Sequence, residues 1–181
     1  MSLEQSYCSL ASLLDYPQGK ESLLLNYRSV ADYLSRNGIE SPAAPFAELL
    51  RSSTLSELQE DYVAQFDFNQ TVAPYLGHHL YGDNQKKGSY MIKVKQEYLR
   101  HRFEAAENEL PDHLSVLLAF LAHLARLGED AVRRQFISEL VLPGINKLVA
   151  GCSPSKSSPW FGLFEAAGAL CTVDCREVSA C

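Results

Sequence analysis

Little in this chain points to catalysis, to a membrane or to nucleic acid. No window approaches the roughly 18 uninterrupted apolar residues of a membrane span. The opening residues, Met1-Ser2-Leu3-Glu4-Gln5-Ser6, lack the basic-then-apolar layout of a secretory leader. Together these absences lead us to expect a cytoplasmic protein. Positive charge is scarce: 16 Lys and Arg stand against 22 Asp and Glu, for a formal charge of -6. That is the wrong sign for a global phosphate binder and the right one for a basic partner. The five cysteines, Cys8, Cys152, Cys171, Cys175 and Cys181, are odd in number and scattered, which argues against a disulfide framework. Gly-x-Ser-x-Gly, Gly-x-Gly-x-x-Gly and His-Glu-x-x-His are all missing, so no catalytic signature is present. No stretch alternates with period two for long enough to make a strand, and no fixed-period repeat is visible.

What is present is helical periodicity in a chain able to bury a core. With 181 residues, 46% hydrophobic and 21% charged, residues 1–181 read as one all-α domain of about seven to nine helices. Leu10, Leu13 and Leu14 form a stripe that stops at Asp15-Tyr16-Pro17. Thr54-Leu55-Ser56-Glu57 reads as a capping box opening a helix with Leu58, Tyr62 and Phe66 inward and Glu57, Glu60 and Asp61 toward water. Periodicity then fails from about residue 69 to 88, where Pro74, Gly77, Gly82 and Gly88 suggest an irregular loop, with room for short helical turns, of the kind that is often functional. A long helix is expected from about Ser89 to about Ala106. Asp112 is expected to cap the next helix, Leu114 to Leu127, which is apolar on almost every side and therefore central, with Leu117 and Leu121 deeply buried. Pro143-Gly144 should kink or break the helix that contains it, and Pro159 suits the first turn of the last one.

Several residue sets could carry chemistry. Gly82 to Ser89 resembles a phosphate loop only faintly, because the glycine spacing is one residue too long and no lysine follows Gly88. Cys171 and Cys175 stand one helical turn apart with Cys181 beyond; they could bind metal or sense oxidation, or be ordinary core thiols. His78, His79, His101, His113 and His123 do not show the convergence a zinc site needs. Between Lys86 and Arg102, six bases are opposed by Glu97 alone. This stretch reads either as a solvated helix face or as a dock for an anionic group such as a phosphate or a pterin pyrophosphate. In the second reading Lys86, Lys87 and Lys93 would contact the anion, and the protein would be a small nucleotide- or pterin-binding sensor or enzyme using residues 86–102.

Three pieces of the middle section carry a resemblance. They are Tyr62-Val63-x-x-Phe66-Asp67, then His79-Leu80-Tyr81-Gly82-Asp83 followed by Lys87-Gly88, then Glu109-Leu110-Pro111-Asp112-His113-Leu114. In this order and spacing, with Leu14-x-Tyr16-Pro17 ahead of them, they resemble the TorD/DmsD/NarJ superfamily of chaperones that mature molybdenum-containing redox enzymes. The Tyr-Gly-Asp element places the likeness in the NarJ-like, nitrate-reductase branch. The resemblance implies an all-α fold, no catalysis, no metal and no cofactor of its own. It implies a chaperone that holds the N-terminal segment of an apo molybdoenzyme catalytic subunit until the molybdenum cofactor is inserted. The cofactor itself or its delivery proteins are further partners in this reading. By the same resemblance the peptide would meet Tyr62, Phe66, Asp67, His79, Tyr81, Asp83, Glu109, Pro111, Asp112 and His113. The residue before Gly88 is lysine where the family commonly has arginine, and lysine cannot make the same bidentate contacts. Independently of the resemblance, an apolar bundle with an aromatic-rich irregular segment can expose a groove for an amphipathic helix. Tyr62 and Phe66, at helical spacing, could equally be core.

Overall fold

The computed structural model describes residues 2–66, 72–105, 109–152 and 158–176. Among them there are helices and no strands. The order is α1 (Leu3–Leu13), α2 (Lys20–Arg36), α3 (Ala44–Ser52), α4 (Leu55–Phe66), α5 (Leu76–Tyr81), α6 (Gln85–Arg100), α7 (Leu114–Leu127), α8 (Asp130–Phe136), a π-helical segment (Ile137–Val141), α9 (Leu142–Gly151) and α10 (Phe161–Arg176). The run from α8 to α9 is one rod, which makes nine rods among the described residues.

The apolar content of α7 puts it at the centre. Leu114, Leu117, Leu118, Phe120, Leu121 and Leu124 have no exposed surface, and each such side chain contributes roughly 1.5–3 kcal/mol by leaving water. One face of α7 packs on α1, which is itself covered by α2, and α8 lies against it as well. Tyr7, Leu10, Leu13 and Leu14 of the first stripe are all fully buried in the same core. The capping box of α4 forms as the spacing predicts: the Glu57 N–H donates to Thr54 Oγ1 (3.3 Å) and the Thr54 N–H to Glu57 Oε2 (2.7 Å).

A second polar cluster ties the bundle together far from that box. Asp174 of α10 has no exposed surface and Arg133 of α8 only 2%. The guanidinium meets both carboxylate oxygens, Nε to Oδ2 at 2.7 Å and Nη2 to Oδ1 at 2.8 Å. Tyr7 of α1 donates its hydroxyl to Asp174 Oδ2 at 2.9 Å. Three helices distant in sequence thus share one carboxylate.

The structure departs from sequence expectation in several places. Within the segment 69–88 the short helical turn it allows is α5, but Gly82 at φ 58° then turns the chain and Asn84 already caps α6, taking the Lys86 N–H on its side chain at 3.0 Å. The following helix therefore begins at Gln85, not Ser89, and ends at Arg100, where Arg102 adopts φ 52°. Asp61 does not face open water; it accepts the Trp160 indole N–H at 2.7 Å. Pro143 does not break its rod. It sits in the first turn of α9, and the wide π turn just before it absorbs the lost backbone bond.

Candidate functional site

Two stretches that lie more than thirty residues apart in sequence are laced together beside α6. Leu76 donates its backbone N–H to the Asp112 carbonyl (3.1 Å), and Leu114 donates to the Pro74 carbonyl (2.8 Å), forming a single antiparallel bridge between Tyr75 and His113. Side chains reinforce it. Tyr75 donates its hydroxyl to Glu109 Oε1 at 3.0 Å, and its ring meets that of His113 edge-on, centroids 5.0 Å apart. Tyr98 of α6 donates to the Pro111 carbonyl at 2.7 Å. His79 donates through Nε2 to the Ala73 carbonyl at 2.7 Å, closing the turn that leads into α5.

Asp112 sits at the middle of this knot with no exposed surface. It is not the cap of α7, contrary to expectation. His113 takes that place, its Nδ1 accepting the Ser115 N–H at 3.3 Å and lying 2.7 Å from the Ser115 hydroxyl. Asp112 lies one residue earlier, so its carboxylate projects back toward α5. There Oδ2 accepts the Gly77 N–H at 3.0 Å, in the first turn of α5. Asp112 thus satisfies an orphan helix amide, but of a different helix from the one its sequence position suggests. Gly77 is required by this approach: a Cβ there would stand 2.7 Å from Asp112 Oδ2 and 3.1 Å from Tyr90 Cδ1. Lys87 lays its stem along the same spot, its Cγ 3.4 Å from that Cβ position. Among the described residues, Asp112 Oδ1 is buried and has no hydrogen-bond partner. Burial raises the Asp112 carboxyl above the ordinary carboxylate range, and the Gly77 N–H, its own backbone N–H, Lys87 and His113 pull against it. Burial lowers His113 and His79 below the usual histidine value, against a smaller opposite pull from acids including Glu109 and Asp15 at His113, and from the Ala73 carbonyl at His79.

In front of the knot is an open groove of about 520 Å³, lined by Phe66, Ala73, Tyr75, His78, Asp83, Lys87 and Leu110. Apolar side chains alternate there with one acid, one base and one imidazole. Of the residues singled out in the sequence, Phe66, Asp83 and Lys87 line the groove. Pro111, Asp112 and His113 are buried in the laced segment behind it, and Glu109 is tied to the lining residue Tyr75. Tyr81 is 37% exposed on α5, its ring 5.8 Å from Tyr90. Tyr62 turns into the core, donating to the Leu14 carbonyl at 3.2 Å and packing edge-on against Tyr16, Phe66 and Trp160. Asp67 and Cys181 lie outside the described residues. Lys86, Lys87 and Lys93 do not share one face: Lys86 and Lys93, seven apart, are exposed on the outer side of α6, while Lys87 is turned toward Gly77. Cys171 is fully buried and Cys175 partly so, and burial pushes both thiols upward, away from the thiolate a metal or an oxidant needs. Among the described residues no group of three or more His, Cys, Asp or Glu is placed to hold a metal ion, and no helix is long and apolar enough to cross a membrane. Sequence reasoning missed Gly77, His78 and Leu110 as parts of the site. Leu110 could have been found as an apolar residue beside Pro111, but the role of Gly77 depends on a contact across 35 positions.

Comparison with known proteins agrees with this architecture. The family described as nitrate reductase delta subunit matches residues 34–164. A protein of Bacillus subtilis (strain 168) named probable nitrate reductase molybdenum cofactor assembly chaperone NarJ is 27% identical over 136 residues, 75% of this chain and 74% of that one. The nitrate reductase molybdenum cofactor assembly chaperone NarJ of Escherichia coli (strain K12) is 27% identical over 120 residues, 64% of this chain and 50% of that one. A crystal structure from Archaeoglobus fulgidus, assigned there as a redox enzyme maturation protein, superposes with a TM-score of 0.54 at 20% identity, covering 91% of each chain; this likeness concerns the fold. The family match covers well over half of the residues and includes every laced segment of the site, and on that ground the chain belongs to the nitrate reductase delta subunit family.

Proposed function

We propose that the protein is a maturation chaperone for a nitrate-reductase-type molybdoenzyme. In this reading it acts in the cytoplasm, without turnover. The groove in front of Asp112 takes the N-terminal segment of the apo catalytic subunit and holds it for molybdenum cofactor insertion. The observation that carries this reading is the buried Asp112 carboxylate, whose Oδ1 has no partner among the described residues, beside a mixed apolar and charged groove to which its neighbour Lys87 contributes. A polar group left in that condition costs stability, and a ligand that fills it recovers the loss.

Phe66, Tyr75 and Leu110 bury the apolar side of an amphipathic peptide helix, which supplies most of the affinity. Asp83, with Glu109, faces the basic residues of the peptide and sets register and encounter rate. Displacement of the flexible Lys87 stem opens the path to Asp112 Oδ1, which then accepts an N–H from the peptide. Relatives named as NarJ assembly chaperones, and the net charge of -6, support the choice of a basic N-terminal segment as client. Isothermal titration with N-terminal peptides of molybdoenzyme catalytic subunits encoded beside this chain tests the reading. Saturable binding with a negative heat-capacity change is expected. Tyr75→Ala should raise the off-rate more than it lowers the on-rate. Absence of binding to every such peptide, with saturable binding of a nucleotide or pterin, would overturn it.

A further inference from the structure

The outer face of α6 is not used by the groove. Ile92 is 58% and Leu99 78% exposed, an apolar pair seven residues apart on one line of the helix. Lys95 lies beside that line on one side and Arg100 a quarter-turn away on the other, with Lys93 and Lys86 farther round the same side, all exposed. Lys87 alone among the α6 bases turns inward, and Glu97, the one acid of α6, is paired with Arg100 at 2.5 Å. A chain of formal charge -6 therefore concentrates bases on a helix that also leaves two large aliphatic side chains in water.

We infer that this face of α6 is a second docking surface, for the anionic headgroup layer of a lipid membrane. Three observations favour lipid over an acidic protein. The surface is the convex side of a helix rather than a pocket, whereas a protein hot spot seats an anchor in a cleft. Its bases are mostly lysines, which protein interfaces avoid and membrane surfaces attract. Its apolar line has Lys95 close on one side and Arg100, Lys93 and Lys86 farther round on the other, so Ile92 and Leu99 can enter the acyl boundary while the basic groups reach up to phosphate. With two apolar residues the contact is shallow and reversible, and charge supplies most of the attraction. The surface goes beyond the chaperone reading and does not depend on it: Lys87 and the groove face the opposite side of α6.

Flotation of the full chain with phosphatidylglycerol and with phosphatidylcholine vesicles tests the inference. Binding to the anionic vesicles alone is expected, weakening as salt is raised. Each of Lys93→Gln and Lys95→Gln should lower the partition coefficient about fivefold. Ile92→Asn with Leu99→Asn should abolish residual binding at moderate salt. Lys147→Gln removes the same charge from an exposed position on α9 and should leave binding unchanged. Urea midpoints of all variants should match the parent, since every substituted side chain is exposed. Equal binding to both vesicle types, binding to neither, or equal loss in Lys147→Gln would overturn the inference. Binding of the parent to soluble polyglutamate but not to vesicles would overturn it in favour of an acidic protein partner.

Discussion

Two carboxylates among the described residues are completely buried, Asp112 and Asp174, and the fold treats them in opposite ways. Asp174 is saturated: both oxygens meet the Arg133 guanidinium and one also takes the Tyr7 hydroxyl. Asp112 receives the Gly77 amide on Oδ2, with its own backbone N–H also favouring the charge, and among the described residues Oδ1 has no partner. Both lie where three chain segments meet, so burial alone does not separate them. What separates them is completeness. A fully paired carboxylate fixes helices in place, and a half-paired one behind an open groove is an acceptor in reserve. The comparison assigns a structural role to the Arg133–Asp174 cluster and a binding role to Asp112.

Breaking the saturated site should have the largest effect. Asp174→Ala leaves the Arg133 guanidinium buried without its main partner, and the expected loss is about 3–5 kcal/mol in urea unfolding. A loss below 1 kcal/mol would mean that the cluster does not hold α1, α8 and α10 together. Next comes Gly77→Ala, whose new methyl would stand 2.7 Å from Asp112 Oδ2. It should cost on the order of 1–3 kcal/mol and lower peptide affinity as well, because relief requires the carboxylate to move. Retention of both stability and affinity would show that α5 is not pinned by Asp112.

A pH titration sharpens the comparison further. Burial depresses His79 and His113 in the folded state. A base with a lowered folded value gives stability that is present above the unfolded value, about 6.5, and lost as pH falls below it. Protonation of His113 also removes the Nδ1 acceptor that caps α7. The urea midpoint should therefore fall as pH drops below about 6.5, and His79→Gln should flatten part of that slope. Asp112 works with the opposite sign: its raised value means that the folded state gains relative stability as pH falls toward the ordinary carboxylate range. A midpoint that rises from pH 7 to pH 6 would contradict the assignment of both histidines. The smallest effect should come from Thr54→Ala, far from both carboxylates, at about 1 kcal/mol for the lost cap of α4, with peptide binding unchanged.

The parts of this architecture that were legible in the sequence are those decided by neighbours along the chain. The apolar surround of α7, the Thr54–Glu57 capping box and the stop at Tyr16-Pro17 each follow from residues within two turns of one another. The sequence leaves room for a short helical turn where α5 forms but does not place it, because six residues with two histidines and a glycine are too few to show a 3.6 period; contacts to α6 and α9 support it in place of its own propensity. Asp112 was recognised as a helix-capping residue, but local spacing assigned it to α7, and only the pairing of residues 74–76 with 112–114 turns it toward α5. Asp61 reads as a solvent-facing acid until Trp160, 99 positions later, is brought to it. The Tyr7–Asp174–Arg133 cluster left no signal at all, since its members are spread over α1, α8 and α10. The groove was half visible: Phe66 and Asp83 stood out as motif residues, while Tyr62, chosen on the same spacing, belongs to the aromatic core around Trp160.

The central claim is that Asp112 is held incompletely paired for a ligand. Asp112→Asn tests it, because asparagine keeps the shape and, with its oxygen toward Gly77, the acceptor for that N–H, while removing the charge and putting an NH2 donor where Oδ1 stood. Stability and affinity for the catalytic subunit's N-terminal peptide are to be measured on the same preparation, by urea unfolding and isothermal titration at pH 7.5. The account predicts a urea midpoint at or above that of the parent, since a buried charge has been removed, together with a loss of peptide affinity of about tenfold or more, as expected when a charge-assisted hydrogen bond is lost. An Asp112→Asn variant that binds the peptide as tightly as the parent would contradict it.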